Sequence, residues 1–307
     1  MPLYLLLPLA AAVLYTLGSI FQKRALHGGA SVRQVFHTNN LCVAVAILPL
    51  LLFERSSPSW QNLHQPLFTG AFFYVGALLN TIAIRRGDIS LVNPLLGTKA
   101  VFVAVGSAVL IGERLPVALW IGAFLAAAGI FVLGARSFTG SASQRHLLPA
   151  ISLAIASASC FALTDVLVSK WAPDFASVTF VVVMSVSVAA YSIVLNPILL
   201  RGSPERRQLR NTPHEARRPM FLGGLIIGTQ AMLIAIALSG YNDPTGINIV
   251  YSSRGLWSIA LVWLFATTLG AHETAAGANT PNPMPLRLAG TVILTAGIVI
   301  AVLSRSG

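Results

Sequence analysis

The chain has 307 residues, of which 55% are hydrophobic and 9% charged, and its formal net charge is +11. A soluble domain carries roughly 25% charged residues. Here long uncharged apolar runs recur from end to end, so the sequence is written for lipid rather than water. The basic excess does not indicate nucleic acid, because the arginines cluster in the connections between apolar runs, as positive-inside bias places them.

Windows of about 20 apolar residues are long enough to cross a hydrocarbon core of roughly 30 Å. They fall at 3–22, 34–53, 67–85, 90–112 and 116–135, then at 147–170, 177–200, 220–239, 245–269 and 286–304. The expected architecture is an all-α, multi-pass membrane protein with ten transmembrane helices. No Lys or Arg precedes the first run, the earliest being Lys23, so it reads as a spanning helix and not as a signal peptide. The basic, proline-containing connection 201–219 reads as a surface loop, and 271–285 as flexible. Cys42 and Cys160 both fall inside expected helices, which indicates neither a disulfide framework nor a metal site. No cofactor is expected.

The two halves of the chain resemble each other. "LYTLGSIFQKRAL" (14–26) lies on "CFALTDVLVSKWA" (160–172), and "DISLVNPLLGTKAVF" (88–102) on "DPTGINIVYSSRGLW" (243–257). The second match pairs Asp88 with Asp243, Asn93 with Asn248 and Lys99 with Arg254. Further on, Glu113 pairs with Glu273, Gly122 with Gly290 and Gly129 with Gly297. Five helices per half is an odd number, so the second half enters the membrane from the opposite side. The expectation is two inverted repeats, 1–136 and 147–307, joined by a linker at 137–146. In that architecture the substrate site lies near the midplane, where the repeats meet.

The segment "IGERLPVALWIGAFLAAAGIFVLG" (111–134) resembles the end of an EamA repeat, in which a glycine–glutamate–arginine turn precedes a glycine-containing last helix. With ten helices in two halves, the chain resembles EamA-like members of the drug/metabolite transporter superfamily. The second half departs from the motif, since "GAHET" stands where the turn is expected. The resemblance implies a transporter of small organic molecules, without naming one. It also implies that both termini are cytoplasmic, whereas the count of Lys and Arg in the connections places both outside.

Lys99 falls about ten residues into its expected helix, roughly 15 Å at 1.5 Å per residue, and Arg254 at a similar depth in the ninth. An ionisable group at that depth costs on the order of 2.5–3.5 kcal/mol on insertion scales and faces a bundle interior or an aqueous cavity. Two cations converging on the repeat axis make an anion site, with Arg254 supplying a planar fork and Lys99 a point charge. The resemblance adds that lysine or arginine on these same two helices binds phosphate in the sugar-phosphate translocator branch. The candidate counter-charge is Asp165, either as a fixed ionised partner or as a group that takes up a coupling proton. One carboxylate does not neutralise two cations, so a small anionic or zwitterionic organic substrate would complete the balance.

Other polar residues inside the spans are Tyr15, Ser19, Gln22, His37, Asn39, Asn40, Asn80, Thr164 and Gln230. Of these Tyr15 and Gln230, with Asn248, join Lys99, Arg254 and Asp165 as candidate substrate-binding residues. The glycines at 122, 129, 290 and 297, like "GGLIIG" (223–228), read as close helix packing.

The expected function is secondary transport by alternating access, in the lipid bilayer of a bacterial cytoplasmic membrane. No nucleotide-binding loop is present, so direct ATP drive is not expected. The alternatives are an exporter of amino acids or neutral metabolites, with Lys99 and Arg254 structural, or a non-transporting membrane protein. An enzyme is not expected, because no paired-carboxylate or metal-ligand spacing supports one.

Overall fold

The computed structural model describes residues 2–86, 95–133, 144–199, 212–254, 256–257, 260–261 and 284–306. Ten α-helices occupy these residues: α1 Leu6–His27, α2 Val32–Ile47, α3 His64–Arg86, α4 Lys99–Gly106, α5 Val117–Leu133, α6 Gln144–Phe175, α7 Ser177–Leu199, α8 His214–Tyr241, α9 Pro244–Tyr251 and α10 Met284–Ser306. Six helical stretches are long and apolar enough to cross a membrane: Leu3–His27, Val32–Phe53, Trp60–Ala83, Pro149–Phe175, Ser177–Leu195 and His214–Tyr241. Lys99–Ile111, Val117–Val132 and Ala289–Ser304 are apolar but shorter. The linker positions 137–143, the start of the fourth expected span at 90–94, most of the ninth beyond 257, the loop 271–283, and Asp88, Asn93 and Glu273 lie outside the described residues.

Backbone chemistry explains where the helices depart from the apolar windows. The second span is α-helical only to Ile47 and continues as a 3-10 helix over Leu48–Phe53, because Pro49 has no N–H for the α ladder. The connection read as a loop over 201–219 is helical from His214. Pro213 is its N-cap, and Pro219 lies inside the helix, where it leaves the Glu215 carbonyl without its ladder donor.

The fourth span is the main correction. It is not a continuous helix with Lys99 in its middle: a turn at Gly97–Thr98 interrupts it, and α4 begins at Lys99. A Cβ on Gly97 would lie 2.8 Å from Ile130 Cγ2, so only glycine lets this turn press against α5. Thr98 Oγ1 donates to the Leu95 carbonyl at 2.6 Å and satisfies one freed acceptor. At its far end α4 runs into a π-helical turn, Ser107–Ile111, closed by Gly112 at φ +78. That left-handed backbone suits glycine, which accounts for the first residue of the "GER" turn.

The ninth span breaks in the same way. Asp243 caps it, its carboxylate accepting from Gly246 N at 2.9 Å, with Pro244 at the first helical position. The helix stops at Tyr251, turns at Ser252–Ser253, and Arg254 is helical again. Both spans therefore turn immediately before their cation.

The helices pack in a defined set of pairs. α1 lies along α8, α3 along α6 and α5 along α10. α2 packs on α7 and α8, α3 on α7, α4 on α5, α6 and α9, and α9 on α1 and α10. Small residues set the closest approaches. A Cβ on Gly122 would lie 3.0 Å from the Gly297 carbonyl oxygen, and one on Gly223 would lie 3.1 Å from that of Gly18. Without a hydrophobic driving force between helices in lipid, such backbone contacts supply the dispersion energy of association.

Candidate functional site

The broken spans and the long helices around them enclose a cavity of about 200 Å³. Its lining comes from α1, α2, α3, α6, α7 and α8, from Leu96 and Lys99 beside the fourth-span turn, and from Tyr251 and Arg254 on either side of the ninth-span turn. Among the described residues α5 and α10 contribute nothing to it.

Most of the lining is apolar, with Phe73, Phe161, Met184 and Ile227 among its larger side chains. Among the described residues three charged ones enter it: Lys99, Asp165 and Arg254. Asp165 Oδ2 accepts from Lys99 Nζ at 2.6 Å and from Asn248 Nδ2 at 2.8 Å. The Lys99 and Asp165 side chains are only 14% and 9% exposed, so the pair is held in a low-dielectric environment. Asn248 is itself aimed by its place on α9, donating also to the Pro244 carbonyl at 2.9 Å one turn earlier. The pair thus ties α4, α6 and α9 together.

Arg254 is held differently. Its guanidinium carbon lies 4.9 Å from the Tyr15 ring centroid and 4.8 Å from that of Tyr251, and these two rings meet edge to face at 6.2 Å. Lys99 Nζ lies 5.9 Å from the Tyr251 ring. Thr16 Oγ1 donates to the Arg254 carbonyl at 3.4 Å, tying α1 to the turn. Among the described residues no carboxylate lies within ion-pair distance of Arg254. Counted over the described residues, the cavity lining therefore holds two cations against one carboxylate, a net charge of one.

Five of the six candidate residues read from the sequence line this cavity: Tyr15, Lys99, Asp165, Gln230 and Arg254. Asn248 stands behind it as the positioning partner of Asp165. Gln230 is 7% exposed in that lining. Asn80 also lines the cavity, and its Oδ1 is buried without a partner. Thr164 lines it too, but its hydroxyl is spent on the Cys160 carbonyl at 2.9 Å.

Of the other polar candidates, Ser19 donates to the Tyr15 carbonyl of its own helix at 2.8 Å and Asn40 Nδ2 is buried without a partner among the described residues, while two contacts join helices elsewhere. Gln22 donates to Asn39 at 2.9 Å between α1 and α2, and His37 Nδ1 meets Ser192 Oγ at 2.9 Å between α2 and α7. Cys42 and Cys160 are free thiols. Among the described residues no three His, Cys, Asp or Glu side chains converge on a metal position. Tyr251 is the residue sequence reasoning missed. Its one signal was its position three residues before Arg254, a spacing that shares a face in an unbroken helix.

Comparison with known proteins bears on this arrangement. Residues 2–135 match the EamA-like transporter family. The first part of the chain is thus similar to EamA-like transporters, a family within the drug/metabolite transporter superfamily. The apolar helices make it an integral, multi-pass membrane protein, and the family that residues 2–135 match is one of transporters. A solved crystal structure, titled only as that of a protein, superposes with a TM-score of 0.73 over 98% of this chain and 98% of its own, at 18% identity, which shows a shared fold. No curated protein matches the sequence.

Proposed function

We propose that the chain is a secondary transporter of a small organic anion, working by alternating access of two inverted five-helix repeats around Lys99 and Arg254. The observation that carries this reading is the lining of the cavity: two partly buried cations with Asp165 as their one counter-charge among the described residues. An uncompensated charge in a membrane interior is costly, and a substrate carboxylate would offset it. Broken helices are also the usual frame for such sites, because their free ends face the substrate.

The packing supports the repeats. Exchanging each helix with the one five places away turns α1·α8 into α6·α3, α2·α8 into α7·α3, α4·α6 into α9·α1 and α4·α5 into α9·α10. The same exchange leaves α5·α10, α2·α7 and α4·α9 unchanged, and every one of these contacts is present. Four pairs break the rule, α5·α9, α6·α8, α6·α9 and α8·α9, and α6·α8 is the most extensive of them. α6 packs against α8, with Ser169 Oγ donating to the Leu238 carbonyl at 3.1 Å, while α1 and α3 have no comparable contact among the described residues. A rocking transporter closed on one side only has this asymmetry. The closed side is the one carrying Leu238 and the Tyr4–Asp243 hydrogen bond of 2.6 Å.

The rival reading, an exporter of amino acids or neutral metabolites, is favoured by the partners the two cations already have, Asp165 for Lys99 and two tyrosine rings for Arg254. Uptake into liposomes of a panel of amino acids, organic acids, sugar phosphates and lipophilic cations separates the two. The anion reading expects uptake of an organic anion that Arg254→Ala abolishes. Uptake of neutral or cationic compounds alone, or equal uptake by the variant, overturns it. Coupling to a proton would act at Asp165, and an imposed pH gradient would then drive uptake in wild type but not in Asp165→Asn.

A further inference from the structure

We infer that the cavity selects a monocarboxylate with a compact apolar body and a neutral polar α-substituent, and discriminates against the zwitterionic amino acid and the dicarboxylate built on the same body. This rests on the transport reading above and narrows it.

The first ground is charge. Lys99 and Arg254 against Asp165 leave one positive charge in the lining. A monoanion brings the filled cavity to neutrality. A zwitterion leaves the excess in place, and a dianion reverses it, each with an unbalanced charge in a low-dielectric site.

The second ground is the lack of a seat for an ammonium group. Among the described residues Asp165 is the single carboxylate in the lining, and Lys99 Nζ already lies 2.6 Å from its Oδ2, with the Asn248 amide at 2.8 Å. An ammonium drawn to Asp165 would meet Lys99 at close range.

The third ground is the remaining polar inventory, which is neutral. Gln230 lines the cavity at 7% exposure, and Asn80 Oδ1 is buried without a partner among the described residues. An amide oxygen left without a donor is satisfied by a hydroxyl at no cost in charge, and an amide N–H₂ by a hydroxyl or keto oxygen.

Size and surface complete the argument. Sites for drug-sized ligands run from about 300 Å³ upward. At about 200 Å³ this cavity takes something smaller, and Phe73, Phe161, Val188 and Ile227 offer it an apolar wall. Sugar phosphates, polar throughout and dianionic, fit neither feature.

Three compounds that differ only at one α-substituent test this: 3-phenyllactate with a hydroxyl, phenylalanine with an ammonium and benzylmalonate with a second carboxylate. The readout is the thermal unfolding midpoint of the purified full chain in detergent at neutral pH, titrated with each. The expected result is stabilisation by 3-phenyllactate at a concentration at least tenfold below that needed for either of the others, lost in Arg254→Gln and weakened in Gln230→Leu. Stabilisation by phenylalanine or benzylmalonate at an equal or lower concentration overturns the inference. So does silence from all three compounds, or a response to 3-phenyllactate that Arg254→Gln leaves intact. The broader transport reading is judged separately by the liposome panel, which a chain selective for some other organic anion would still pass.

Discussion

Lys99 and Asp165, on different halves of the chain, meet at 2.6 Å in the wall of the cavity, and the Asn248 amide joins the same carboxylate oxygen from a third helix. Breaking a buried pair by removing one partner strands the other charge and costs roughly 3–5 kcal/mol, whereas replacing both with apolar groups is often neutral. Asp165→Leu alone is therefore expected to lower the unfolding midpoint sharply in detergent. The double variant Lys99→Met with Asp165→Leu should recover most of the loss. A double variant as unstable as the single one would show that the pair is not what holds α4, α6 and α9 together.

Arg254 between Tyr15 and Tyr251 leads to a different expectation. Lysine keeps the charge but has neither the planar face for the rings nor the fork for a carboxylate. Arg254→Lys should weaken anion binding by about 1–2 kcal/mol, roughly 5- to 30-fold. Tyr251→Leu should act in the same direction while leaving expression intact. Concentration dependence of uptake measures both, and a wild-type response from Arg254→Lys would mean that charge alone suffices.

The α5–α10 contact is predicted to tolerate no side chain. A Cβ on Gly297 would lie 2.8 Å from the Gly122 carbonyl oxygen and 2.9 Å from Ala126 N, both backbone atoms with little room to yield. Gly297→Val should destabilise by about 1–3 kcal/mol or more. Gly240 is the matched control: nothing lies within 4 Å of its added Cβ, and it sits near the end of α8. Gly240→Ala should be neutral or slightly stabilising, by up to about 0.5–1 kcal/mol from helix propensity. Thermal unfolding of the two variants side by side decides the point.

Glu54, just beyond the 3-10 end of the second span, carries a pH signature. Its Oε2 accepts from Val178 N at 3.0 Å and Thr179 N at 3.1 Å at the start of α7, and its Oε1 from Arg55 N and Ser56 N. Partial burial pushes the carboxyl up, but the hydrogen bonds from Ser56, Thr179 and Val178 outweigh it and hold the group below the ordinary glutamate range. A depressed carboxyl contributes stability above its unfolded value and loses it as pH falls through the folded one. Glu54→Gln should thus be less stable than wild type at neutral pH, by on the order of 0.3–1 kcal/mol given solvent screening. The gap should close as pH falls below the ordinary glutamate range. Unfolding midpoints of both proteins across that range check it, and a gap that is constant with pH would remove the carboxylate from the explanation.

How much of this could be read in advance depends on what each feature does to hydrophobicity. The pairing of Lys99 with Arg254 was legible because a cation in an apolar run stands out, and Asp165 for the same reason. The turns before those two cations were not. Gly97–Thr98 and Ser252–Ser253 are short and uncharged, so the apolar window runs straight across them while the backbone breaks. The bracket around Arg254 was hidden because Tyr251 looks like any aromatic in a spanning helix. The early start of α8 escaped for the opposite reason: "HEARRP" is polar, and only Pro213 and Pro219 mark it as the opening of a helix.

The glycine-lined contact between α5 and α10 also constrains how the molecule comes into being. About 150 residues separate the end of one helix from the start of the other, and at roughly 5–20 residues per second a ribosome needs on the order of ten to thirty seconds to cover that distance. Throughout that interval lipid must occupy the face of α5 that the later helix will take. Displacing those acyl chains is then among the last steps of assembly, and a nascent chain halted before residue 284 would carry every cavity-lining residue named above while lacking the partner helix of α5.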